Sequence, residues 1–218
     1  MYFLPISLAI FLIFLLLIPF LIIILPAVAF SKLGLSPLGG ISFYFLCLMG
    51  SLINIPVYRK EIGYYEEPDE LTSIFSRFFG IRVPVIHERV IALNLGGAIL
   101  PGLLCVYLLT RISLGSAIMA TVVTTIFSYF LSKPVKGVGI IIPAFIPPII
   151  AAITALIFAD RESAPAVAYI SGVLGTLIGA DLLRLHQIKR FGLSFLSIGG
   201  AGVFDGIFIV GIIAVLLA

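Results

Sequence analysis

The sequence has no tryptophan, only two cysteines and few charges of either sign. Charged residues make up 11% of it, against about 25% in an average soluble domain. That scarcity excludes a soluble globular domain, a disordered chain and a nucleic-acid binder. Cys47 and Cys105 both lie in apolar runs, so they read as small buried hydrophobes and not as a disulfide framework. There is no CxxC and no Cys/His cluster, and the glycine strings lie inside apolar runs, not in phosphate loops. No metal, haem, flavin or nucleotide cofactor is expected.

What is present is hydrocarbon. Hydrophobic residues make up 61% of the 218 positions, and the mean hydropathy is +1.29. A membrane helix needs about 20 apolar residues. Seven runs approach that length, at residues 4–30, 35–56, 90–110, 114–131, 138–159, 164–185 and 199–218. The first ends in Ala27-Val28-Ala29, like a cleavage site, but Met1-Tyr2-Phe3 lacks a basic residue and the run is too long for a signal peptide. It is expected to be retained. The expected fold is all-α: a polytopic bundle of about seven transmembrane helices, forming one integral membrane domain over residues 1–218.

Lysine and arginine set the expected orientation. The loops after runs 1, 3 and 5 hold Lys32, Arg111 and Arg161. The loops after runs 2, 4 and 6 hold Arg59, Lys60, Arg77, Arg82, Arg89, Lys133, Lys136, Arg184, Lys189 and Arg190. The bias predicts a multi-pass cell-membrane protein with its N-terminus cytoplasmic and its C-terminus outside.

The largest polar segment is residues 57–89. Within it, Leu71, Ile74, Phe75, Phe78 and Phe79 form one apolar stripe after Asp69 and Glu70, which predicts a helix ending at Gly80 that either lies in the interface or caps the bundle. Residues 53–58 and 81–86 share an alternating pattern around a proline and read as short extended segments. They could pair with each other, or accept an extended peptide at an edge.

Of ten acidic residues, only Asp181 and Asp205 fall inside apolar runs. An ionisable group there costs roughly 2.5–3.5 kcal/mol or more, which marks it as a functional candidate. The connection between runs 6 and 7 is short, so both carboxyls can lie near the cytoplasmic edge. Two close carboxylates share a proton, so that one can activate water while the other protonates a leaving group. Gly179 and Gly202 sit beside them, and Asn94 and Pro143-Ala144-Phe145 interrupt runs 3 and 5 at similar depth. These residues are the candidate substrate-binding groups. Packing of helices through small residues accounts for the glycines as well, but poorly for the aspartates.

The strings Asn94-Leu-Gly-Gly-Ala-Ile-Leu-Pro101, Leu177-Ile-Gly-Ala-Asp-Leu182 and Ser197-Ile-Gly-Gly-Ala-Gly-Val-Phe-Asp-Gly-Ile-Phe208 resemble an uncharacterised family of bacterial and archaeal integral membrane proteins. That resemblance implies no activity. Gly179-Ala-Asp181 and Gly202-Val-Phe-Asp205 are similar to the Gly-Asp motifs of aspartyl intramembrane proteases, the presenilin, signal peptide peptidase and prepilin peptidase group. This second resemblance implies a two-aspartate dyad, with Pro143-Ala144-Phe145 in the part of that group's Pro-Ala-Leu motif. Neither Gly-x-Gly-Asp string is intact here, and the proline motif precedes the aspartates, whereas in presenilins it follows them.

The expected function is therefore an intramembrane aspartyl protease acting on membrane-embedded proteins or peptides. The alternative is a proton- or cation-coupled transporter or channel using the same aspartates. A metalloprotease fits less well: His87-Glu88 begins an HExxH string, but Ile91 stands where the second histidine belongs. Lipid-binding or scaffolding roles, with structural aspartates, complete the set. The expected partners are the bilayer and a peptide substrate, with no nucleic acid.

Overall fold

The computed structural model describes residues 6–62, 87–135, 139–186, 195–200 and 206–218. The chain is mostly helical, with a small sheet. Helix α1 (Ile6–Lys32) is followed by α2 (Pro37–Gly50), capped by the Ser36 hydroxyl on the Gly39 N–H. The two meet at a bend of 116°. Strands β1 (Asn54–Ile62) and β2 (His87–Asn94) come next. A π-helical segment, π1 (Leu95–Ile99), then leads into α3 (Leu100–Leu109). Helix α4 (Leu114–Leu131) is followed by a hairpin of β3 (Lys133–Val135) and β4 (Gly139–Ile141). Helices α5 (Ile146–Phe158) and α6 (Ala164–Thr176) follow, and α6 runs on into a second π-helical segment, π2 (Leu177–Leu182). Strand β5 (Phe195–Ile198) and helix α7 (Gly206–Leu217) complete the described chain.

Two helices among the described residues are long and apolar enough to cross a membrane: Leu114–Leu131 and Ala164–Leu182, or three spans if the bent α1–α2 pair counts as one. Segments 95–109, 146–158 and 207–217 are apolar but shorter. The Ala164–Leu182 helix is 67% buried and the Leu114–Leu131 helix 22%, so the former is the central post. Every residue from Ala164 to Val173 is buried, against α3, α4, α5 and α7. Just before α6, the Ser163 hydroxyl donates to the Asp160 carboxylate, which holds that exposed carboxyl below its usual range.

An aromatic cluster ties the first helices to the last. The Phe30 ring lies 6.3 Å from Phe208 and 6.4 Å from Tyr169, and Tyr44 lies 5.7 Å from Phe208. Lys32 closes the same contact, its Nζ donating to the carbonyls of Val215 and Leu216 at 3.2 and 3.4 Å. A cation there complements the exposed carbonyls at the end of α7.

The seven continuous runs need correction at four places. Residues 54–56 belong to β1, not to a second span. Residues 90–94 belong to β2, where an apolar run is satisfied by pairing on both sides. Residues 139–141 form half of a hairpin, and α5 begins only at Ile146 because Pro143, Pro147 and Pro148 lack the N–H a preceding helical turn needs. Gly199 and Gly200 lie outside any helix, Gly199 with φ +74°, and α7 starts at Gly206.

The 57–89 segment begins and ends as strand rather than loop. The expected partner of 53–58, residues 81–86, lies outside the described residues, as does the expected helix at 69–80. The partner present is β2, antiparallel, with Asn54 opposite Asn94 and Tyr58 opposite Ile91. Strand β5 adds to β2 in parallel, giving the order β1-β2-β5.

Candidate functional site

The polar residues gather where this sheet ends and the helices begin. Asn94 is the last residue of β2 and only 1% exposed. Its Oδ1 accepts the Gly97 N–H at 2.8 Å, capping π1. Its Nδ2 donates to the Ser51 carbonyl at 2.7 Å and to Asn54 Oδ1 at 3.1 Å. The Ser197 hydroxyl, on β5, also donates to Asn54 Oδ1. Asn54 and Asn94 are the two asparagines of the sequence, and they face each other across the ladder. Both amide protons and the carbonyl of Asn94 are in use, so it holds the ends of α2, β1 and π1 together.

Asp181 lies in π2. Its Oδ2 accepts the Gly199 N–H at 2.8 Å. Gly199 and Gly200 form the turn after β5, and each lies against π1 or its cap. A side chain on Gly199 would meet Ala98 and Gly97 within 3.0 Å, and one on Gly200 would meet Ser197 and Asn94 within 3.2 Å. The turn is thus gripped from both sides, by Asn94 and π1 on one and by the Asp181 carboxylate on the other. Among the described residues, Asp181 Oδ1 has no hydrogen-bond partner.

Both flanking segments are π-helical. Leu100 N–H reaches back five residues to the Leu95 carbonyl, and Leu183 N–H to that of Ile178. The wider turn is often found at functional sites. Glycine permits it here by allowing close backbone approach. A Cβ on Gly96 would lie 1.9 Å from the Cys47 carbonyl, and one on Gly179 would lie 2.4 Å from that of Thr125. Gly179 therefore faces α4. Arg184 anchors the same interface, its guanidinium donating to the Tyr129 carbonyl at 2.6 Å and to Ser132 Oγ at 3.2 Å.

Of the residues singled out in the sequence, Asn94 and Asp181 converge on the 197–200 turn. Asp205 and Gly202 lie outside the described residues. Pro143, Ala144 and Phe145 form an exposed turn before α5, with Phe145 70% exposed, and share no hydrogen bond with the Asn94 or Asp181 cluster. Ser51, Asn54 and Gly199 escaped the sequence reading. Asn54, a lone amide inside Ile53-Asn54-Ile55, carried a signal. The Ser51 carbonyl and Gly199 N–H are main-chain groups and carried none. Among the described residues, no three of His, Cys, Asp and Glu gather in a way that could hold a metal ion.

The chain belongs to the family described as "Protein of unknown function (DUF1614)", which matches residues 48–217. No curated protein and no solved structure matches it.

Proposed function

We propose that this member of the DUF1614 family is an intramembrane aspartyl-type hydrolase that cuts peptide bonds of membrane-embedded substrates. Asp181 and Asp205 are its carboxylate pair. One carboxylate takes a proton from water as the oxygen adds to the scissile carbonyl carbon. The other, protonated, delivers its proton to the amine as the C–N bond breaks. The reading rests on the Asp181–Gly199 hydrogen bond. Gly199 precedes Asp205 by six residues, so the segment bearing the second carboxylate starts from the first carboxylate's own partner. A stretch of that length spans at most about 20 Å. In this reading Asp181 Oδ1, which has no hydrogen-bond partner among the described residues, takes the water. In this reading the N-terminus is cytoplasmic, following the lysine and arginine bias.

The test is cleavage of a fluorogenic transmembrane peptide by the protein in proteoliposomes. Asp181→Asn and Asp205→Asn should each lower the rate by about 10²–10⁴-fold, with unchanged elution and helical content. Wild-type rates in both variants would end the proposal.

One observation favours a second reading. Among the described residues, segments 95–109, 146–158 and 207–217 are shorter than a membrane crossing needs, and discontinuous helices of that kind build ion sites in transporters. Asp181-dependent proton or sodium uptake into liposomes, without peptide cleavage, would select it.

A further inference from the structure

We propose that the cleft between α1, α2 and α7 binds an anionic phospholipid, with one acyl chain along the cleft and the phosphate on Lys32. The cleft has a volume of ≈ 270 Å³ and apolar walls, including Leu25 and Pro26 of α1, Leu48 of α2, and Ile212, Ile213 and Leu216 of α7. Along α7 it extends from Phe208 to Leu216. That is about 12 Å, most of the roughly 15 Å depth of one leaflet's hydrocarbon. A transmembrane helix, about 10–12 Å across, does not fit such a volume. A single hydrocarbon chain does. The cleft offers no polar cradle for a headgroup, so a headgroup must lie at its mouth.

Charge decides what kind of headgroup that is. Lys32 follows Pro26 by six residues on α1, and its ammonium is bonded to the carbonyl of Leu216, itself a wall of the cleft. The ammonium is therefore fixed at the cleft's end. Its two partners among the described residues are main-chain carbonyls at the end of α7, whose partial negative charge offsets only part of the ammonium's. An ammonium has three protons, which leaves one for a phosphate oxygen. Arg111 lies 3.5 Å from where a side chain on Gly34, two residues past Lys32, would begin, with its guanidinium over the Tyr107 ring. Ser51 and Gly96 also line the cleft, at the contact between α2 and π1. The proposal is independent of the chemistry assigned to Asp181.

Native mass spectrometry of the detergent-purified full chain tests it, with phosphatidylglycerol and phosphatidylcholine of matched acyl chains as probes. Phosphatidylglycerol should be retained about fivefold better, the ratio expected for one nearby lysine. Lys32→Gln should bring the two lipids level, and Lys32→Arg should restore the difference. Lys133→Gln, a change of exposed charge elsewhere, should leave it intact. Ile213→Trp or Leu25→Trp, which fill the cleft from opposite walls, should reduce retention of both lipids, with thermal unfolding showing which variant is folded. An unchanged preference in Lys32→Gln would overturn the proposal. So would full lipid retention in either folded tryptophan variant, or an equal loss of preference in Lys133→Gln.

Discussion

At the residue scale, two buried polar side chains of similar exposure have opposite energetics. Asn94 satisfies three separate partners with one amide. Asn94→Ala would take a partner from the buried Gly97 N–H and from the Ser51 carbonyl, while exposed Asn54 keeps the Ser197 hydroxyl. The expected loss is about 2–4 kcal/mol, read as a lower unfolding temperature in detergent. Tyr169 is fully buried in the aromatic cluster, and its hydroxyl has no partner among the described residues. Tyr169→Phe keeps the ring contacts and removes an unpaired polar atom. It should leave stability unchanged or raise it by up to about 1 kcal/mol. A marked loss in the phenylalanine variant would show that the hydroxyl is engaged. The importance of Asn94 was visible in the sequence as a polar residue interrupting an apolar run. Its function as a joint was not, because two of its partners are 43 and 40 positions away.

At the scale of elements, glycine separates close approach from open space. Gly96 lets π1 lie against the end of α2, where a Cβ would collide with three backbone atoms. Gly96→Ala should force the two apart and cost about 3 kcal/mol. Gly102, in α3, has nothing within 4 Å of a Cβ position. Gly102→Ala should instead stabilise the helix by up to about 1 kcal/mol. Measured unfolding temperatures moving in opposite directions would verify both placements. Helix α4 was legible to the residue, at Leu114–Leu131, because an unbroken apolar run without proline ends at Ser132-Lys133-Pro134. Strand β2 was not. Val90-Ile91-Ala92-Leu93 is apolar in four consecutive positions, and such a run suits a strand paired on both sides as well as a buried helix. The π-helical turns were equally hidden.

At the scale of the molecule, hydropathy pointed to a membrane protein, with which the two long apolar helices are compatible, and the central position of α6 follows from the small residues along it. The short spans could not be distinguished from full ones, since apolar composition continues through strand and turn alike. The family match begins at residue 48, so α1, most of α2 and Lys32 lie outside it. Yet α1 is fastened to α7 by Lys32 and by the stacking of Phe30 on Phe208, contacts that join positions nearly the whole chain apart. This arrangement sets an order of assembly during synthesis. The α1 end that packs into the core emerges from the ribosome before α7, and of its partners α7 is met after α2 and α6. A nascent chain stopped before Gly206 should therefore leave a cysteine placed at Phe30 open to a membrane-permeant thiol reagent, and the finished chain should shield it. Until the final helix arrives, the first must be kept in lipid or held by the insertion machinery.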